Sequence, residues 1–135
     1  KDFGSYKRTE SSHERLKVSL ETNIKNVQIA TDLSYAGRVE KLRKMSGYAQ
    51  LPFYCPMFGS ASYSMCKVAD GSLGGYVIFD VNINDIFTGP LLITEAGGIV
   101  SDDLGGSITR KTRTLVAASN KEIHSQLLDV LKGKS

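Results

Sequence analysis

The sequence predicts an α/β domain: a mixed β-sheet flanked by helices. Three observations predict it. Apolar stretches with strand periodicity alternate with stretches of helical periodicity. Glycines fall at the joints between them, and the alternation runs from residue 16 to residue 133 without a repeat or low-complexity segment. At 135 residues, 41% hydrophobic and 23% charged, the chain fits one domain. A chain of that size buries roughly two-thirds of its unfolded surface, enough for a core without covalent staples.

Residues 1–15 are polar and charged and read as a leader, connector or sheet edge; residues 16–135 read as the domain. Leu16 to Leu20 alternates apolar and polar, as a half-buried strand does, and Asn26 to Ala30 reads as a second, more buried strand. Arg38 to Ser46 has helical spacing: Val39, Leu42 and Met45 share a face, and Glu40 can pair with Lys44 one turn on. Pro52 to Phe58 is a strand candidate with its proline at the start, where a missing N–H matters least. Ser60 to Ala69 is a helix with Ala61, Met65 and Val68 inward, broken by Gly71 to Gly75. Gly75 to Asp80 is a strand. Asp85 to Ala96 is a helix that Gly97 and Gly98 end, with Pro90 inside it and a kink expected near Ile86. Strands follow at Gly98 to Ser101 and Thr114 to Ala118. The last helix opens on a capping box, Ser119 with Glu122, and buries Ile123, Leu127, Val130 and Leu131. Gly133 stops it, with Lys132 and Lys134 placed to suit the helix dipole.

Several function classes are excluded early. A net charge of +3 does not argue for nucleic acid, and Arg110-Lys111-Thr112-Arg113 lacks interleaved aromatics, so it reads as a solvated loop. No apolar run approaches the roughly 20 residues of a membrane span, and no signal peptide is evident. Cys55 and Cys66 have no metal spacing and read as reduced, structural thiols of a cytoplasmic protein. The chain opens on Lys1 rather than Met, which suggests a trimmed or excised piece.

Two helix starts could carry chemistry. Phe58-Gly59-Ser60-Ala61-Ser62 puts a glycine and hydroxyls at a helix N-terminus, where free N–H groups and the dipole favour phosphate. A plain serine N-cap after a glycine turn explains the same residues. Asp85 is a lone carboxylate at the start of the next helix. It suits a hard cation such as Mg²⁺, or equally a dipole-favoured acid. Asp80, five residues earlier, could reach the same cleft or sit in solvent. The paired glycines Gly74-Gly75, Gly97-Gly98 and Gly105-Gly106, with Gly71, read as turns or stops with positive φ. His13 and His124 read as solvent-facing, and Ser60, Ser62 and Ser64 lack a His-Asp partner set for covalent catalysis.

The order Gly59-Ser60-Ala61, Cys66-x-Val68-Ala69-x-Gly71, Tyr76, Asn84-Asp85-Ile86, Glu95-Ala96-Gly97-Gly98 and Leu115-Val116-Ala117-Ala118-Ser119 resembles the carboxy-terminal lobe of the inositol monophosphatase family. The likeness covers about residues 16 to 133. It implies the second lobe of a two-lobed sugar-phosphatase fold and a Mg²⁺-dependent phosphomonoesterase. By resemblance, Asp85 matches an aspartate that ligates catalytic Mg²⁺ and orients the phosphate, and Gly59, Ser60 and Ala61 match a segment that contacts substrate. Two positions depart from the pattern: Asn84 replaces a tryptophan, and Ile78 replaces a glutamate that binds inositol in inositol-specific members. An aliphatic side chain accepts no hydrogen bond, so a sugar bisphosphate or nucleotide phosphate is as good an expectation as inositol phosphate. The family's Asp-Pro-x-Asp-Gly-Thr metal segment is absent from these 135 residues. The chain alone is therefore expected to be inactive and to need an amino-terminal lobe, in cis or as a separate chain. A surface left without that lobe would favour homo-oligomers. The competing reading is a non-catalytic binding or assembly module derived from the same family.

Overall fold

A computed structural model describes residues 2–33, 37–50, 54–82 and 84–133. The central sheet holds β3 (Ile29–Asp32), β4 (Gly75–Phe79), β5 (Ile99–Asp102) and β6 (Thr114–Ala118), in the order β3-β4-β6-β5. β3 and β4 run parallel, with Asp32 opposite Ile78, while β6 is antiparallel to both β4 and β5. Helices α2 (Ala61–Ala69) and α3 (Asp85–Glu95) cover one face, and α4 (Lys121–Leu131) covers the other. A short α1 (Arg38–Lys44) runs into a 3₁₀ segment, Met45–Gln50. This is the mixed, helix-flanked sheet that the alternating periods predict.

The period of two sorts the core. Tyr76, Leu115 and Ala117 face α2 and α3 with Met65, Val68 and Ile93; Val77, Phe79, Val116 and Ala118 face α4 with Ile123 and Leu127. Each fully buried Leu or Ile here contributes about 1.5–3 kcal/mol relative to exposure. α2 and α3 approach closely at Gly89, where a Cβ would run into the Met65 sulfur. That contact sets the start of α3 beside the start of α2.

Several expectations are corrected. Leu16 to Leu20 forms no strand: the segment makes isolated bonds, Leu16 N–H to the Ser5 carbonyl and Val18 N–H to that of Ala96. Leu16 and Val18 do pack on the core, so the alternation reports one-sided burial without a ladder partner. The second strand begins at Ile29 because Ile24–Asn26 closes a 3₁₀ turn capped by Asn23. Residues 52–53 of the third strand candidate lie outside the described residues, and residues 54–58 form no strand; Thr31 N–H makes a single bond to the Pro56 carbonyl. On α1 Val39 and Leu42 are exposed and Lys41 is the buried residue, while Met45 lies in the 3₁₀ segment and packs against the core on the α4 side. Glu40 lies 3.8 Å from Arg43 rather than pairing with Lys44.

The final helix starts one residue later than its predicted box. Ser119 stays with the sheet, its N–H bonded to the Gly74 carbonyl, and the Asn120 side chain caps α4 by accepting from Ile123 N–H at 3.0 Å. Lys132 is the C-cap rather than part of the last turn, and Lys134 lies outside the described residues. α3 continues through Pro90, so the proline does not break it. Gly71, Gly97 and Gly105 have positive φ as expected. Gly74 and Gly75 do not; they are close approaches, to Val27 and to Leu127. Residues 6–15 are more ordered than a leader, forming a hairpin of β1 (Tyr6–Arg8) and β2 (His13–Arg15). Glu95 holds its approach by accepting from Asp2 N–H at 2.5 Å and Gly4 N–H at 2.7 Å, bonds that lower the Glu95 pKa.

Candidate active site

Parallel strands deliver their carboxyl ends to the same sheet edge, the ordinary place for a ligand crevice in α/β folds. β3 ends in Asp32, and β4 is followed by Asp80 and Asn82. A cleft of about 520 Å³ opens there. Ile78, Phe79 and Met57 line its apolar part, and Asp32, Asp80 and Asp85 its acidic part. Gly59 and Ala61, at the start of α2, form the opposite wall, with Arg38 also at the cleft.

The three carboxylates differ in what holds them. Asp32 accepts from Gly59 N–H at 2.7 Å through Oδ1 and from the Tyr76 hydroxyl at 2.7 Å through Oδ2. Tyr76 is fully buried; burial, then the bond and charge of Asp32, push its phenol well above the usual range, so it stays a donor. Asp80 sits at φ +54 and pairs through Oδ2 with Lys41 Nζ at 2.9 Å. The Lys41 side chain is 4% exposed and that of Asp80 62%, so the ammonium is buried and its partner faces the cleft. Asp85 is half-buried, and its side chain has no hydrogen-bond or ion-pair partner among the described residues. Its backbone N–H bonds to the Asn82 carbonyl, while Asn82 Oδ1 accepts from Asn84 N–H, an Asx turn that leads the chain into α3.

The predicted site residues Asp85, Gly59 and Ala61 thus converge on one cleft. Ser60 does not line it; its Oγ caps α2 by accepting from Tyr63 N–H at 3.3 Å. The Gly59 N–H, expected to be open to an anion, is taken by Asp32. The first amides of α2, at Ala61 and Ser62, have no intrahelical acceptor by the geometry of a helix start. Asp32, Lys41 and Asn82 escaped sequence reading. A carboxylate ending an apolar strand was the available signal for Asp32. His124 is corrected: it is half-buried, not solvent-facing, and its Nε2 lies 2.8 Å from Ser101 Oγ, with its pKa lowered by burial. Ser101 Oγ donates to the Asp102 carbonyl, so the imidazole is the donor to serine and the pair makes no nucleophile.

Mg²⁺ takes oxygen ligands, one or two of them carboxylates. Asp85 fits that chemistry as an uncommitted carboxylate facing a cleft. No group of three His, Cys, Asp or Glu among the described residues could hold a metal, so the fit is for part of a coordination shell.

Comparison with known proteins agrees with this architecture. Inositol monophosphatase 1 of Homo sapiens is 27% identical over 113 residues, which cover 80% of this chain and 41% of that protein. The probable inositol 1-monophosphatase ImpA of Mycobacterium tuberculosis is 33% identical over 93 residues, 69% of this chain and 32% of that one. Among solved structures, the extragenic suppressor protein suhB of Bartonella henselae superposes with a TM-score of 0.81 at 26% identity, covering 91% of this chain and 50% of that one. Mycobacterium tuberculosis SuhB shares the fold with a TM-score of 0.83 at 23% identity, covering 98% of this chain and 51% of that one. The chain spans about half the length, or less, of the relatives it matches. A protein-family model, the inositol monophosphatase family, matches residues 3–134. The chain belongs to the inositol monophosphatase family.

Proposed function

We propose that the chain is the carboxy-terminal lobe of a Mg²⁺-dependent phosphomonoesterase, to which it contributes Asp85 as a metal ligand and the α2 start as a substrate wall. One observation carries this reading. Of three carboxylates in the cleft, two are committed to the protein's own donors, and Asp85 is left without one. When bound, Mg²⁺ would supply an activated water and neutralise charge developing on the phosphate. Asp85 holds the metal side. The Ala61 and Ser62 amides face the phosphate side, kept in register by the Ser60 cap and by Asp32 on Gly59. Ile78 and Phe79 line the alcohol side and offer no side-chain acceptor of their own, so an inositol preference is not supported over a sugar bisphosphate or a nucleotide phosphate.

One carboxylate cannot offset the repulsion between two or three divalent ions. The remaining ligands therefore come from an amino-terminal lobe, in cis or as a separate chain, with residues 1–15 as connector and residues 16–135 as the domain. Without that lobe the chain is inactive, and its exposed apolar side chains, Phe87 and Leu91 on α3 among them, favour self-association. No helix among the described residues is long and apolar enough to cross a membrane, and the free thiols Cys55 and Cys66 fit a cytoplasmic setting. A second reading, a non-catalytic assembly module, draws on Asn84, which caps α3 with no side-chain bond, and on Ile78. Phosphate release from phosphomonoesters, measured with Mg²⁺ for the chain alone and with an Asp-Pro-x-Asp-Gly-Thr lobe added, separates the two. Turnover only in the combined sample supports the enzyme. Turnover in neither supports the module, and robust turnover by the chain alone defeats both.

A further inference from the structure

Asp80 has a place in the cleft that the metal site does not use. It follows β4 directly, two residues after Ile78, and lines the same cleft as Asp85. Its backbone lies in the left-handed region at φ +54, which a side chain other than glycine adopts at a disadvantage. Its Oδ2 is fixed at 2.9 Å on the ammonium of Lys41, whose side chain is almost wholly buried. The pairing has two consequences. It offsets the carboxylate's charge, so an anionic phosphate at Asp85 meets less repulsion than three bare acids would present. It also leaves Asp80, 62% exposed, with one anchored oxygen and one oxygen for which no protein donor is present among the described residues. An oriented carboxylate oxygen beside an apolar wall is a hydrogen-bond acceptor in search of donors, and a carboxylate donates nothing in return.

We propose that Asp80 is a specificity-determining residue: it accepts hydrogen bonds from hydroxyl groups on the alcohol part of the substrate, and Lys41 positions it to do so. Asp80 then discriminates, among phosphate monoesters placed with their phosphate at Asp85, those whose alcohol presents a hydroxyl to it from those whose alcohol presents none. This rests on the phosphatase reading above.

The test compares glycerol 2-phosphate with isopropyl phosphate, esters of similar shape with and without hydroxyls, using the chain assembled with its complementary lobe and Mg²⁺. Asp80→Asn keeps the side chain's size and tolerates the left-handed backbone but gives up the charged acceptor. The ratio of kcat/KM for the hydroxylated over the bare ester falls by at least about tenfold in this variant, as for a lost bond to a charged group. The loss sits in KM more than in kcat. Because Asp80→Asn leaves Lys41 facing a neutral partner, Lys41→Met/Asp80→Asn removes the buried cation as well and shows the same fall in ratio. A ratio unchanged within twofold in both variants overturns the assignment, since a purely structural role would slow both esters alike. If the unaltered assembly hydrolyses neither ester, the phosphatase reading itself fails, and this inference with it.

Discussion

At the start of α2, the groups around the first turn are met from within the protein: Ser60 Oγ accepts from Tyr63 N–H, and Asp32 accepts from Gly59 N–H while holding the Tyr76 hydroxyl. At the start of α3, across the same cleft, Asn84 provides no side-chain cap and the Asp85 carboxylate has no protein donor among the described residues. One helix start is closed at Gly59 and Ser60, with the Ala61 and Ser62 amides left for a ligand; at the other it is the carboxylate that is open. A closed start is a stability device that fixes a wall; an open carboxylate at a helix N-terminus gains little from the dipole and is available to a cation. The difference separates two acids that look alike in the sequence, Asp32 and Asp85.

Substitutions should therefore move stability at the closed start and leave it nearly untouched at the open one. Asp32→Ala strips the acceptor from Gly59 N–H and from a buried phenol, and should destabilise by about 1–3 kcal/mol in urea unfolding. Adding Tyr76→Phe should cost less than the two single losses summed, because the orphaned donor goes with it. Full additivity would show that the two groups are not coupled and would break the picture of a closed start. Ser60→Ala follows at about 1 kcal/mol, the usual value of a lost N-cap. Asp85→Asn comes lower, below about 1 kcal/mol, being only a dipole interaction. A larger loss would mean Asp85 has a structural partner.

Away from the cleft, His124 gives a control in which burial alone sets the sign. Its folded pKa is depressed, so the unfolded chain binds the proton more readily. The stability tied to the neutral ring is complete above the unfolded value of about 6.5 and is lost as pH falls through the lower folded value. Melting temperatures at pH 5 and 8 should therefore differ less for His124→Gln than for the unaltered chain, with no change in the Asp32 and Ser60 effects.

Elements whose partners are near in sequence, or whose two faces are both apolar, were legible. β6 reads directly from Thr114 to Ala118 because all five residues are buried, and α4 shows its inward face at Ile123 and Leu127. Leu16 to Leu20 shows the limit: alternation reports a buried side, but only the tertiary fold decides whether a ladder partner exists. The same limit hid Asp32. Its role comes from parallel pairing with β4, which sets it beside Tyr76, 44 residues on, and from Gly59, 27 residues on. Lys41 was hidden because a lysine in an exposed-looking helix pattern gives no sign of the burial and the pairing with Asp80 that the fold imposes. Asp85 and the Gly59-Ser60-Ala61 start stood out by their place at helix starts, but that pattern fits a dipole-favoured acid and a plain cap as well, and it was the family resemblance that made them site candidates.

On the proposed function, Asp85 belongs to the chemistry and hardly to the fold. The most direct measurement is Mg²⁺-dependent phosphate release by the two-lobed assembly carrying Asp85→Asn, with unfolding followed on the same sample. The expected outcome is that kcat/KM falls by at least about a hundredfold, as loss of a metal ligand should cost no less than loss of a group that supports one, while stability changes by under about 1 kcal/mol. Undiminished, Mg²⁺-dependent turnover in the variant would contradict it.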